Sequence, residues 1–252
     1  MNIIEVSGLT KHYDNLLAVD HISFAVKERA IFGFLGPNGA GKTTTIKMLT
    51  GLIKPNEGSA KINGKDIIKQ TVEAKKIIGV VTEDSNLYDE LTVADNLRFM
   101  GQLYNVARSE RENRIKELLR VFGLEDKKDV IFAKLSKGMK RKVTIAAALV
   151  HDPSVLFLDE PTTGLDVLSA RVLHMMIKEL NQRGVTIFLT THYIEEADRL
   201  CDTVAIIVGG KIREIAAPGE LKLKTESKNL EEAFIKLTGL KEEIMLAEKG
   251  IT

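Results

Sequence analysis

The amino-acid sequence predicts an α/β fold with a mainly parallel sheet, an antiparallel β flank and an inserted helical segment. Three observations carry that reading. Runs at 31–35, 77–81, 155–158, 185–189 and 204–208 are apolar almost throughout, as strands buried on both faces of a parallel sheet are. Runs at 3–6 and 22–26 alternate with polar residues, which suits antiparallel strands with one wet face. Between 92 and 150 the strand signal disappears and helix signals replace it.

The helical stretch justifies itself residue by residue. Ile115, Leu118, Leu119 and Phe122 recur at helical spacing before Gly123, and Ser109 followed by Glu112 reads as a capping box. Further on, Gly209-Gly210 separates two short β-prone runs and reads as a hairpin turn. Pro218-Gly219 breaks the pattern ahead of a charged tail. In that tail Leu230, Ala233, Phe234 and Leu237 share one helical face, so 229–238 is expected to dock as a helix. No internal repeat or low-complexity segment interrupts the chain.

Composition narrows the function. The chain has 252 residues, 44% of them hydrophobic, which suits one compact soluble domain, or one domain with a small annex. Its 36 Lys and Arg nearly balance 35 Asp and Glu, so a formal net charge of +1 exerts no global pull on polyanions such as nucleic acid. Cys201 stands alone, which excludes an intramolecular disulfide, argues against a cysteine-based metal site and suits a small buried hydrophobe. The N-terminus MNIIEVSGLTKHYDN lacks the apolar core of a secretory signal, and nowhere do 18 apolar residues run uninterrupted. A cytoplasmic protein is expected, reaching a membrane only through a partner.

Three segments carry chemistry. In IFGFLGPNGAGKTTTIKMLTG, residues 31–51, the pattern G-x-x-x-x-G-K-T runs from Gly36 to Thr43, directly after a predicted strand and into a predicted helix. Gly36, Pro37, Asn38, Gly39, Ala40 and Gly41 form a loop free to wrap a polyanion, with backbone N–H groups and the helix start, including Thr44, aimed at phosphates. Lys42 adds a point charge on the β and γ phosphates, and the Thr43 hydroxyl is placed for Mg²⁺. These features define a P-loop NTPase core.

The second segment, VLFLDEPTTGLD at 155–166, ends an apolar strand with two acids, at the sheet end where open α/β sheets bind ligands. Asp159 there holds Mg²⁺ through water, and Glu160 orients or deprotonates an attacking water. The third, VTIFLTTHYIEEADRL at 185–200, puts His192 after another buried strand, within reach of the γ-phosphate or of the catalytic water.

Taken together, GPNGAGKT, LSKGM, VLFLDEP, GLD and TTH, in this order and spacing, resemble the nucleotide-binding subunit of an ABC transporter over essentially the whole chain. The nearest resemblance is to the ATPase subunits of daunorubicin-resistance-type exporters, which favour SKGMK and end in a segment like NLEEAFIKLTG. The resemblance implies an ATPase domain over 1–217, with a core of 1–91 and 151–217 and a helical subdomain at 92–150. Residues 218–252 are then a C-terminal tail. It also implies that two cassettes pair head to tail, each ATP lying between the phosphate loop of one and the signature of the other. Ser136, Lys137, Gly138 and Met139 would form that signature, Ser136 and Gly138 touching the γ-phosphate bound by the second copy. Asp166 would sit at the same seam, and Tyr13 would stack on adenine, helped by Val19. A separate integral membrane permease would be driven by dimer closure and opening, coupled through the helical insert and the loop 83–91.

The residues of the signature agree with this. They precede an Ala-rich helical run, so they supply helix N-terminal amides and partial positive charge. The cations around them, Lys134, Lys137, Lys140, Arg141 and Lys142, read equally as a solvated face. Two departures from the family pattern stand out. Glu83 occupies the position where Gln is usual, and its carboxylate either binds Mg²⁺ more tightly or repels the γ-phosphate until Mg²⁺ arrives. A shifted alignment would make Asp84 the equivalent residue. At Arg29-Ala30 the family more often has Gly-Glu, so a different turn is expected there. The competing reading is a soluble ATPase of the same type acting on nucleic acid or ribosomes. The charge balance, and the lack of a tandem cassette or a long coiled-coil insertion, weigh against it.

Overall fold

The computed structural model of the chain describes residues 1–83 and 87–239. It opens with two long antiparallel strands, β1 (Asn2–Tyr13) and β2 (Leu16–Lys27), followed by the fully buried β3 (Ile31–Leu35) and helix α1 (Lys42–Leu49). Strands β4 (Glu57–Ile62) and β5 (Lys65–Asp66) return to the first sheet, and α2 (Thr71–Lys76) leads into β6 (Ile78–Val81). Helices α3 (Val93–Leu103), α4 (Arg108–Val121) and α5 (Lys137–Ala148) occupy the helical stretch. Then come β7 (Val155–Asp159), α6 (Val167–Gln182), β8 (Thr186–Thr191), α7 (Ile194–Leu200), β9 (Thr203–Val208) and β10 (Lys211–Ala216). Helices α8 (Pro218–Lys224) and α9 (Leu230–Thr238) close the described chain.

The expected parallel core and antiparallel flank are both present. One sheet has the order β10-β9-β3-β8-β7-β6, parallel except for the β9–β10 hairpin, and the other is antiparallel with the order β2-β1-β4-β5. Gly209 and Gly210 turn that hairpin with φ of 56° and 76°, the two left-handed residues a two-residue turn of this kind requires. Strand β3 shows why its run is apolar on both faces. Ile31 and Leu35 join one core with the helices, whereas Phe32 and Phe34 enter a second core shared with the antiparallel sheet. There Phe24, Phe32, Phe34, Phe157 and Phe188 pack with ring centroids 5.3–6.0 Å apart. Each fully buried ring contributes roughly 2–3 kcal/mol of apolar burial.

Register decides where the chemistry emerges. Leu35 pairs with Thr191 and Asp159 with Thr190, so β3, β8 and β7 end side by side. The loop after β3, the acids ending β7 and the histidine after β8 therefore leave the sheet at one edge, the C-terminal end of parallel strands.

Some sequence expectations need correcting. Helix α4 begins at Arg108 behind Ala107 without a side-chain cap, so Ser109 lies inside the helix and forms no capping box. Glu112 instead ion-pairs with Arg98 of α3 at 3.1 Å. Pro218 does not break structure but starts α8 at its first turn, where a missing N–H costs nothing. Strands β4 and β5 carried too little signal to be seen, because only Ala60 and Ile62 of β4 are buried. The docked helix at 229–238 is present as α9, capped by Asn229 and burying Leu230, Ala233 and Phe234, and Gly123 follows α4 in a left-handed conformation. At the atypical 29–30 turn Arg29 takes a φ of 61°, a conformation glycine adopts without strain. Cys201 is buried against Gly33, and burial pushes its thiol pKa up, as suits an inert core cysteine.

Candidate active site

The loop 36–41 hangs between β3 and α1, and two of its three glycines, Gly36 and Gly41, are dictated by contact. A Cβ on Gly36 would lie 2.2 Å from the Ile207 carbonyl, and one on Gly41, at φ 101°, would lie 2.5 Å from that of Ala18. The loop is also fastened from behind. Gly36 N–H donates to Thr191 O, Gly210 N–H donates to Ala40 O at 3.2 Å, and Asp20 N–H donates to Gly210 O at 2.9 Å. Val19 is fully buried and packs behind Gly41. Asn38 and Gly39 form the exposed tip, with Pro37 and Thr44 half-buried beside it.

Lys42 is only 5% exposed and curls over its own loop, its Nζ donating to Gly36 O at 2.8 Å and to Pro37 O at 3.0 Å. The same amine lies 3.1 Å from Glu160 Oε1. Thr43 Oγ1 donates to Asp159 Oδ1 at 3.3 Å. Asp159 is further held by Thr190 Oγ1 at 2.5 Å, and that hydroxyl in turn accepts the Glu160 amide at 3.0 Å. Glu160 sits 7% exposed with φ 48°, a left-handed conformation costing a non-glycine residue on the order of 1 kcal/mol, which turns its carboxylate toward the loop. His192 Nδ1 meets Glu160 Oε2 at 2.8 Å. The three sequence segments thus converge, and Lys42, Thr43, Asp159, Glu160 and His192 form one connected cluster.

Ser136 caps α5, its hydroxyl accepting from Met139 N–H at 3.3 Å. Asp166 caps α6 in the same way, accepting from the Ser169 amide at 2.9 Å and hydroxyl at 2.6 Å, and these bonds hold its carboxyl below the usual aspartate range. The two helix starts are neighbours, since a Cβ on Gly138 would lie 2.9 Å from Ser169 Oγ. The signature of a chain therefore stands beside its own Asp166.

The cations of that stretch divide by role. Lys137 lays its amine over Gly164 of the same chain, and Lys140 pairs with Asp89 at 3.2 Å and lies over the Phe132 ring. Arg141 is buried and donates to Thr82 O at 2.7 Å and Glu83 O at 3.1 Å, so it ties α5 to the chain leaving β6. It is an internal brace, and the reading of a solvated face does not hold for it.

Tyr13 lies at the outer end of β1, 42% exposed, with Lys11 over its ring. Glu83 is exposed, and among the described residues none donates a hydrogen bond to its carboxylate. Asp84, the alternative to it, and part of the loop 83–91 lie outside the described residues. Thr190 escaped the sequence reading. Its signal was a polar Thr190-Thr191 pair at the C-terminal end of the strand, directly ahead of His192.

Residues 19–163, more than half of the chain, match the family model described as ABC transporter. The chain is 37% identical over 240 residues to the probable multidrug ABC transporter ATP-binding protein YbhF of Escherichia coli strain K12, covering 93% of this chain but only 41% of that relative. It is 41% identical over 219 residues to the Nod factor export ATP-binding protein I of Ralstonia nicotianae, covering 87% of this chain and 68% of the other. A solved structure of an ATP-binding subunit of an ABC transporter superposes with a TM-score of 0.85 at 32% identity, covering 94% of this chain and 99% of that one. The motif cluster at one sheet edge and these likenesses agree: the chain belongs to the ABC transporter family, as one of its ATP-binding cassettes.

Proposed function

We propose that this chain hydrolyses ATP to drive a separate membrane permease, acting as the energy-supplying subunit of an exporter. The observation that carries the reading is the linked cluster at the sheet edge, Lys42 to Glu160 at 3.1 Å, Thr43 to Asp159 at 3.3 Å and Glu160 to His192 at 2.8 Å. The loop amides and Lys42 would hold the phosphates, and exposed Tyr13 would lie on the adenine while Val19 supports the loop from behind. Thr43 and Asp159 fit Mg²⁺, since both offer hard oxygens and this ion takes only one or two protein ligands beside phosphates and water. Bound there, Mg²⁺ would neutralise charge on the transferred phosphate. Glu160 would take the proton of the attacking water, with His192 fixing the direction of its carboxylate.

Among the described residues no hydrogen bond or ion pair joins residues 136–139 to the Lys42 cluster of the same chain, which supports a shared site. Two copies would close head to tail, Ser136 and Gly138 of each reaching the γ-phosphate held by the other, with Asp166 at the seam. Residues 92–150 would act as a helical subdomain that, with the loop 83–91, meets the permease. The tail from 218 would pack on the core through α9. Among the described residues no helix is long and apolar enough to cross a membrane, so attachment would be peripheral, through the permease. The relatives, named for multidrug transport and Nod factor export, support export over the reading of a soluble ATPase acting on nucleic acid.

Ser136→Arg tests the shared site. It is expected to abolish ATP hydrolysis while leaving ATP binding to the single chain intact. The lost cap alone costs about 1 kcal/mol, which a melting curve separates from misfolding. Loss of binding together with hydrolysis in a folded variant would refute the two-copy arrangement.

A further inference from the structure

We propose that Glu196 is a positioning residue that holds the catalytic Glu160 and His192 in register, an assignment that rests on the reading of those two residues given above. Glu196 is 3% exposed, and its Oε1 accepts two hydrogen bonds, from Thr162 Oγ1 at 3.0 Å and from His174 Nε2 at 2.9 Å. Its Oε2 is sealed from solvent without a hydrogen-bond partner. Burying a carboxylate in this way is costly, and the two hydrogen bonds to Oε1 offset only part of that cost.

What those bonds join explains their use. Thr162 lies two residues after Glu160, in a turn closed by Thr163 N–H to Glu160 O at 3.3 Å and Leu165 N–H to Thr162 O at 3.0 Å. Glu196 lies on α7, four residues after His192, whose ring holds Glu160 Oε2. His174 lies on α6, the helix that Asp166 caps. One oxygen therefore links the turn after Glu160, the helix after His192 and the helix after Asp166. The circuit from Glu160 through His192, α7, Glu196 and Thr162 back to Glu160 is closed. Cutting it at Glu196 frees the turn to swing against α7, and the 2.8 Å contact between His192 and Glu160 is then no longer fixed.

Only Oε1 is used, so an amide serves as well as a carboxylate. Gln in place of Glu196 keeps an oxygen acceptor for both donors, whereas Ala removes it. None of Glu196, Thr162 and His174 belongs to the cluster proposed to hold ATP, so the effect belongs in kcat and not in KM.

The test uses the full chain with Mg-ATP. Glu196→Ala is expected to lower kcat by about tenfold or more with KM within about twofold, and Glu196→Gln to restore most of the rate. Thr162→Val should reproduce the loss, and the Thr162→Val/Glu196→Ala double variant should lose no more than either single one, because both cut the same link. Native rate in Glu196→Ala, no rescue by Gln, or additive losses would each overturn the assignment. A second readout needs no turnover: the ring resonances of His192 should shift in Glu196→Ala although no hydrogen bond joins the two side chains, and a shift confined to His174 would overturn the assignment. Glu160→Gln serves as the control, for a native rate there would refute the site reading itself while the His192 resonances still judge the link.

Discussion

Glu160→Gln is the most informative perturbation of the cluster because the structure gives this carboxylate two opposed effects. It is placed to accept a proton, and it also neutralises Lys42 at 3.1 Å with both side chains nearly buried. At that distance and an effective dielectric of about 20, the pair attracts by roughly 5 kcal/mol before desolvation is counted. Phosphate binding must divert Lys42 from Glu160. If about a quarter of the gross attraction survives desolvation, its removal is worth about 1.4 kcal/mol, or about tenfold in affinity. Gln is nearly isosteric and keeps an oxygen for the His192 contact, so the backbone at φ 48° is undisturbed. Two assays read the two effects. Phosphate release should fall by about 10²–10⁴-fold, the range expected for loss of a general base, while equilibrium binding of ATP tightens by about tenfold. Hydrolysis within about threefold of native would remove Glu160 from the mechanism. Weaker ATP binding in a folded variant would refute the opposition between Glu160 and the phosphates.

Further expectations follow from other contacts. Gly41→Ala should destabilise the chain by about 2–4 kcal/mol in denaturant titration, since the new Cβ meets the Ala18 carbonyl at 2.5 Å, whereas Gly39→Ala, with open space around it, should cost only about 1 kcal/mol. Glu83→Gln should retain ATP binding and change the Mg²⁺ dependence of hydrolysis, and an unchanged Mg²⁺ titration would sink the idea. His151 stacks on Tyr104 at 3.6 Å and directs Nε2 at Ile78 O, leaving Nδ1 buried without a partner. Burial lowers its pKa below the ordinary 6.5, so the unfolded chain takes up the proton first. Its neutral form costs nothing above pH 6.5, and stability is lost as pH falls from 6.5 toward the depressed value. His151→Gln should flatten that part of a plot of melting temperature against pH.

The parts legible in sequence were those with a dense local signal. Strand β3 is apolar on both faces because two cores claim its alternate residues, so its run announced itself and the glycine pattern beside it fixed the loop. Glu160 and His192 were readable because each follows such a strand. Strand β4 was invisible for the opposite reason, with its buried side chains reduced to Ala60 and Ile62. Ser109 misled because a Ser-x-x-Glu pattern does not say whether Glu112 will bond backward or be captured by Arg98 from another helix. The link from Thr162 to Glu196 and on to His174 joins residues 34 and 22 positions apart, and no local pattern marks it.

The fastening of the phosphate loop has a consequence beyond the site. Ala40 is joined to the β9–β10 hairpin, and that hairpin to Asp20 of β2, so the loop forms a rivet between the two sheets. A bound polyanion that stiffens the loop therefore tightens the whole seam, and its binding energy appears as resistance to unfolding of both sheets. Amide exchange at Asp20 and Gly210 becomes a gauge of occupancy read from behind the loop.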